Sequence, residues 1–486
     1  MAAAGAGVVW SAEQARSTFP ASSDPSTQVH FMSAARLAQL IREKKVSSVE
    51  ALRLHLAQID RVNPKLNAVV QFCRERAMAE ARQLDAMIAK GSVKGPLHGV
   101  PMTIKDSFDT AGVVSTAGTM GRKDFVPGSD ATVVARLRAA GAVLMGKTNT
   151  SEFTLSFKVN NLVYGLTRNP YDTNFQSGGS SGGAAAIVAA GGSSFDIGSD
   201  WGGSVRYPAH CCGIAGIKPT TGFVPRTGHF IDYGGFFDAY QQVGPLARRV
   251  EDLRTILPII AGPDYIDAAI VPMTLGNPGS VNLKDLRVAF FINDGVSVCQ
   301  PAVEQVVRTC ADMMMKAGAR VTEAKPPGIK ELFELRGKLI PADGRAWVTR
   351  LVQKAGTRQT SAEIVLGGQP IPAGEFTELA ERQDAYRSDL LAFMENYDLI
   401  LCPPCHMTAP SVDLPPFLNS YTIVHNMTGW PGAVVRAGES PEGLPIGIQI
   451  VGRPWTDHVV LAVAAHVEAQ TGGWKKPALA DAQGGK

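Results

Sequence analysis

Net charge is almost absent from this chain: 47 basic against 44 acidic residues leave +3 over 486 residues. That balance excludes nucleic acid or an anionic membrane as the main partner, because both are held by concentrated positive charge. No apolar run reaches the ~18 residues that a membrane-spanning helix needs. The N-terminal stretch MAAAGAGVVWSAEQ lacks a basic segment and a full apolar segment, so no secretory signal is predicted. Cysteine is scarce and odd in number: Cys73, Cys211, Cys212, Cys299, Cys310, Cys402 and Cys405. Such scattered thiols do not make a disulfide framework, and they predict a reduced, cytoplasmic setting.

What is present is an ordinary globular balance, 45% hydrophobic and 19% charged, on a chain long enough for a large core. The 50 glycines gather in the middle of the sequence. Residues 1–28, rich in Ala, Ser and Pro, read as a flexible arm. Ser33 caps a helix over 33–43, and the pair Ser47 and Glu50 makes a capping box for a second helix through Ile59, closed by Pro64. A third helix is predicted over 74–89. Val100 to Ile104 reads as a buried strand leading into Lys105, residues 130–140 as a helix, and Ala142 to Met145 as a strand.

From Asn169 to Gly235 the chain is dense in Gly, Ser, Thr and Pro, which in a compact domain marks function. Beyond it, strands are predicted at Leu286–Phe291, Val321–Glu323, Asp398–Cys402, Ala433–Arg436 and Ile446–Val451. Helices are predicted near 301–317, 375–396 and 457–469. This alternation argues for an α/β fold with a mixed sheet covered on both faces. The C-terminal residues 473–486 read as a flexible tail.

Four patterns compete for the chemistry. Residues 141–148, GAVLMGKT, fit a phosphate-binding loop. Their interior side chains, Ala142, Val143, Leu144 and Met145, want burial, so the segment reads as a strand instead. Cys402, Cys405 and His406 fit a haem-attachment pattern. That chemistry goes with export, zinc would need further ligands, and the two intervening prolines suit a strand end. Neither a metal nor a cofactor is expected. Gly178 to Gly182 fits a nucleophile elbow, with His210, His229 or His425 as base in an esterase-like Ser-His-Asp site. An elbow needs a strand before it, and Asn169 to Asn174 is turn chemistry.

The fourth pattern is the long one. GGSSGGAAAIVAAGGSSFDIGSDWGGSVRYPA at 178–209 resembles the defining motif of the amidase signature family. GVPMTIKD at 99–106, GKTNTSEF at 146–153, GIKPTTGFVPRTG at 216–228, GPLARRVED at 244–252, GWPGAVV at 429–435 and GLPIGIQIVG at 443–452 are similar to its other segments. The resemblance implies one large domain over 29–472, a monomer or homodimer, and hydrolysis of a carbon–nitrogen bond. It implies Ser204 as nucleophile, Ser180 as bridging serine after a cis bond from Gly179, and Lys105 as base. It implies the backbone amides of Trp201, Gly202, Gly203 and Ser204 as an oxyanion hole. Asp200 and Arg206 then hold the loop and Ser181 supports the network.

The chemistry fits these residue types. A serine hydroxyl attacks only when a base takes its proton. A lysine serves as that base only uncharged, which requires burial and no carboxylate close enough to hold the ammonium. Trp201 departs from the small or β-branched residue common in the family. With the loop Tyr233–Phe237 and the variable stretch 264–430 it predicts an apolar, partly aromatic pocket for an aryl amide or a carbamate, with water as co-substrate. The alternative with the same motif is the glutaminase subunit of a tRNA-dependent amidotransferase.

Overall fold

Ser33 and Ser47 cap the first two helices as predicted: their hydroxyls accept from Arg36 N (3.1 Å) and Glu50 N (2.9 Å). The second helix does not stop at Ile59 but runs Ser48–Leu66. Pro64 lies in its last turn, and a left-handed Asn67 (φ 51°) ends it. The third helix is Arg74–Ala89. The computed structural model describes residues 29–230, 239–415 and 419–481. The expected arm 1–28 and the aromatic loop 233–237 therefore lie outside the described residues.

Eleven strands organise the described residues: β1 Val69–Phe72, β2 Pro101–Lys105, β3 Val143–Thr148, β4 Phe195–Asp200, β5 Ala215–Lys218, β6 Gln242–Ala247, β7 Arg287–Phe290, β8 Arg320–Glu323, β9 Leu399–Cys402, β10 Gly432–Glu439 and β11 Pro445–Gly452. The larger sheet has the order β4-β6-β5-β10-β11-β9-β7-β8 and the smaller β1-β3-β2. Both are mixed: β7 runs parallel to β8 and β9, and β2 parallel to β3, while the remaining pairs are antiparallel.

Strand alternation sends successive side chains to opposite faces. On β10, Ala433 and Val435 enter a core with helices Val250–Ile260, Pro301–Lys316 and Asp457–Thr471. Val434 between them enters a second core with helices Gly182–Ala189 and Arg206–Cys212. The result is a single large α/β domain with helices on both faces.

The two sheets meet where β2 lies beside β4. Ser194 N donates to Pro101 O (3.4 Å) and Thr103 N to Ser193 Oγ (3.0 Å). This junction carries Lys105, at the end of β2, to the end of β4. Within the stretch 141–148, Val143–Thr148 forms β3, every residue of which is buried. Cys402 ends β9, and Gln449 Nε2 donates to its sulfur (3.1 Å). Residues 473–481 pack rather than trail: Trp474 Nε1 donates to Ala189 O (3.1 Å), and Ala480 is wholly buried. No helix of the described residues is long and apolar enough to cross a membrane.

Candidate active site

All five residues of β2 are buried, and the last of them is a lysine. Lys105 Nζ has three hydroxyl neighbours: Ser180 Oγ at 2.7 Å, Ser181 Oγ at 2.9 Å and Ser199 Oγ at 3.0 Å. Among the described residues it forms no ion pair. Burial pulls its pKa down to about 7, against the opposing charges of Asp200 and Asp196. A lysine in this state exchanges a proton near neutrality.

Ser180 and Ser181 lead into helix Gly182–Ala189, and the Gly179–Ser180 peptide is cis. A side chain at Gly179 would press on the Phe157 carbonyl carbon at 2.6 Å, so this approach admits only glycine. Ser204 belongs to the turn between β4 and helix Arg206–Cys212. It is 5% exposed, whereas Lys105 and Ser180 are fully buried. Among the described residues its hydroxyl has no hydrogen-bond partner, so the structure brings Lys105 and Ser180 into contact and leaves Ser204 as the reachable hydroxyl.

Asp200 ties that turn together. Its carboxylate accepts from Gly203 N (2.8 Å) and Val205 N (3.1 Å), from Arg206 Nε (3.0 Å) and Nη2 (2.9 Å), and from Asn426 Nδ2 (2.8 Å). Burial works to raise its pKa, but the Arg206 charge and these donors outweigh it and hold the carboxyl well below the usual range. Arg206 also donates to Gln449 Oε1 (2.8 Å) and Asn426 Oδ1 (2.6 Å), so the pair is buried and fully bonded.

Of the four expected oxyanion donors, Gly203 is already engaged within the protein. The Gly202 carbonyl accepts from Asn419 Nδ2 (3.1 Å) and Thr422 Oγ1 (2.5 Å). In a trans peptide the next N–H points the opposite way, and that of Gly203 goes to Asp200. Gly203 is thus a structural donor. The N–H groups of Gly202 and Ser204 have no acceptor among the described residues. Two buried, unspent amides beside a reachable serine hydroxyl are donors of the kind that stabilise an oxyanion when they converge on it.

Three contributors escaped the sequence. Ser199 is the next residue in the row of Phe195 and Ile197 on β4, and a hydroxyl in that row was the available hint. Thr422 and Asn426 sit on helix Ser420–Met427, whose eight residues are all buried. Such a helix shows no amphipathic period. Of the rival bases, His210 is spent on Met407 O (2.9 Å) and Gly447 N (3.0 Å), and His425 stacks near Trp430 (6.5 Å). His229 lies beside Ser199. Trp201 is half-buried, its ring 6.1 Å from both Tyr240 and Trp347.

Comparison with known proteins identifies the family. The amidase family model matches residues 50–461. Human fatty-acid amide hydrolase 2 is 33% identical, with 92% of this chain and 90% of that protein covered. A glutamyl-tRNA(Gln) amidotransferase subunit from Heliobacterium modesticaldum is 32% identical, with 92% and 98% covered. The crystal structure of a bacterial aryl acylamidase superposes with a TM-score of 0.80 at 25% identity, covering 94% of this chain and 99% of that one. The chain belongs to the amidase signature family and is an amide-hydrolysing enzyme by that membership.

Proposed function

We propose that this enzyme cleaves the C–N bond of small aryl amides or carbamates through an acyl-enzyme on Ser204. The observation that carries the reading is the buried Lys105 amine, 2.7 Å from Ser180 Oγ and without an ion pair among the described residues. Ser204 Oγ attacks the carbonyl carbon. Its proton passes to Ser180 Oγ as the Ser180 proton passes to Lys105 Nζ. Contact between the two serines forms with substrate in place, since catalytic hydrogen bonds tighten in the substrate complex. The amides of Gly202 and Ser204 take the oxyanion. The protons then return along the same path to the leaving nitrogen, and water repeats the sequence to release the acid. From a carbamate, cleavage at C–N releases the amine, and water then frees a carbonic acid half-ester that loses carbon dioxide to give the alcohol.

The rings of Trp201, Tyr240 and Trp347 support an aromatic substrate. The second reading, a glutaminase that works within a larger complex, is favoured by the amidotransferase relative. Glutamine is small and polar, and an aromatic cluster suits it poorly. A panel of anilides, aliphatic amides, aryl carbamates, esters and glutamine tests both readings on the purified chain. Turnover of anilides or carbamates without any partner protein is expected. Turnover of glutamine alone, or only with added partner proteins, would reverse the choice.

A further inference from the structure

The hydrogen-bond set of Lys105 does not end at its three serines. Ser199 Oγ, 3.0 Å from Lys105 Nζ, lies 2.9 Å from His229 Nε2. His229 is 2% exposed. Its Nδ1 faces Gln241 Nε2 at 2.8 Å. An amide nitrogen only donates, so Nδ1 accepts and the ring proton sits on Nε2. That Nε2–H meets Ser199 Oγ and, at 3.0 Å, Ser107 Oγ. The Phe108 ring stands edge-on at 4.8 Å and fixes the plane of the imidazole. A Ser-His-Asp arrangement would instead put a carboxylate on Nδ1 and the nucleophile on Nε2.

We infer that His229 is a positioning residue that acts through Ser199 to favour the uncharged form of Lys105. The inference rests on the proposed role of Lys105 as base. An ammonium at this position has three protons to place on three hydroxyls. A hydroxyl that already accepts from a strong donor is a poorer acceptor and a better donor. The His229 proton on Ser199 Oγ therefore weakens the third bond of the ammonium and leaves the neutral amine unharmed. Two carboxylates of β4, Asp196 and Asp200, face the lysine and pull the other way. Burial opposes them, and the histidine adds to burial. His229 reaches Lys105 through Ser199, so its influence runs along hydrogen bonds.

The test is the pH dependence of kcat/KM for 4-nitroacetanilide, read on wild type, S204A, H229A, H229Q, S199A and the H229A/S199A double variant. H229A is expected to lose up to about 10²-fold in kcat, the scale of a small misplacement near the chemistry, with KM little changed. Its acid limb is expected to move to higher pH by about half a unit or more, because Ser199 becomes a full acceptor for the ammonium. H229Q, whose amide nitrogen can stand where Nε2 stood, should bring the limb back. S199A removes the third acceptor and should move the limb to lower pH, and the double variant should match S199A. An unmoved limb in H229A and S199A overturns the inference while leaving the function intact. If H229A does not fold, H229Q and S199A still decide. A wild type inactive on the whole substrate panel, or an S204A variant as active as wild type, overturns the function itself.

Discussion

Arg206 and Asp200 lie fork to fork with no exposed side-chain surface, Nη2 2.9 Å from Oδ1 and Nε 3.0 Å from Oδ2. The pair sets the turn that carries Ser204, because the same carboxylate accepts from Gly203 N and Val205 N. Removing one partner strands a buried charge, which typically costs about 3–5 kcal/mol. Asp200→Asn should lose stability on that scale in denaturant unfolding. Adding Arg206→Met should return part of the stability but no activity, because Asn offers one acceptor oxygen where the turn uses both carboxylate oxygens. A double variant as unstable as Asp200→Asn alone would show that the stranded charge is not the cause. The folded-state pKa of Asp200 is depressed, so its contribution is present above the unfolded value of about 3.9. It is lost only as pH falls below that value toward the folded one.

The activity profile should rise through about pH 7, where Lys105 gives up its proton, and stay level above it. Asp196 sits on the same strand as Ser199 and is bonded to Thr103 Oγ1 (2.6 Å) and Thr148 Oγ1 (3.1 Å). Burial pushes its pKa up to about 7, so the two titrations overlap and the profile belongs to the pair. The Asp196 charge favours the ammonium. Asp196→Asn should therefore shift the acid limb to lower pH. A shift to higher pH in kcat/KM would contradict this sign.

Much of this site was legible before any coordinates because it lies in two short stretches. Met102 and Ile104 make the β2 strand apolar, which told that Lys105 would be buried. Gly202 and Gly203 told of a backbone that something approaches closely. The structure supplies the approaching atoms, Asn419 Nδ2 at 2.7 Å and Thr422 Oγ1 at 2.5 Å from the Cβ each glycine lacks. Those partners lie more than 200 positions away, at the start of and on a helix buried all round, and no local pattern connects them. The bond from Gly203 N to Asp200 was not foreseen for the same reason. Which way a peptide plane turns depends on Thr422 and Asp200, and neither preference is written at residue 203.

Ser204→Ala and Lys105→Ala should each lower kcat by at least ~10³-fold, and the double variant should be no worse than the poorer single one. Groups that share one proton act as a unit, so their losses do not add. The measurement is single-turnover hydrolysis of a chromogenic anilide. Independent, additive losses would mean that the lysine serves structure and not proton transfer.

Trp201 gives the sharpest test of substrate class. Its backbone belongs to the turn of the nucleophile, while its ring reaches 6.1 Å to Tyr240 and to Trp347. Trp201→Ala keeps the main chain and removes one wall of the aromatic cluster. Losing apolar contact of this kind changes discrimination by about 10- to 200-fold. The ratio of kcat/KM for an anilide over a short aliphatic amide should fall by at least about 10-fold at that lower bound, with the aliphatic rate little affected. Equal losses on both substrates would assign the indole to holding the turn and not to recognition. A gain on bulky anilides would mean that the ring closes the pocket, and the enzyme's preference would then lie with smaller acyl groups.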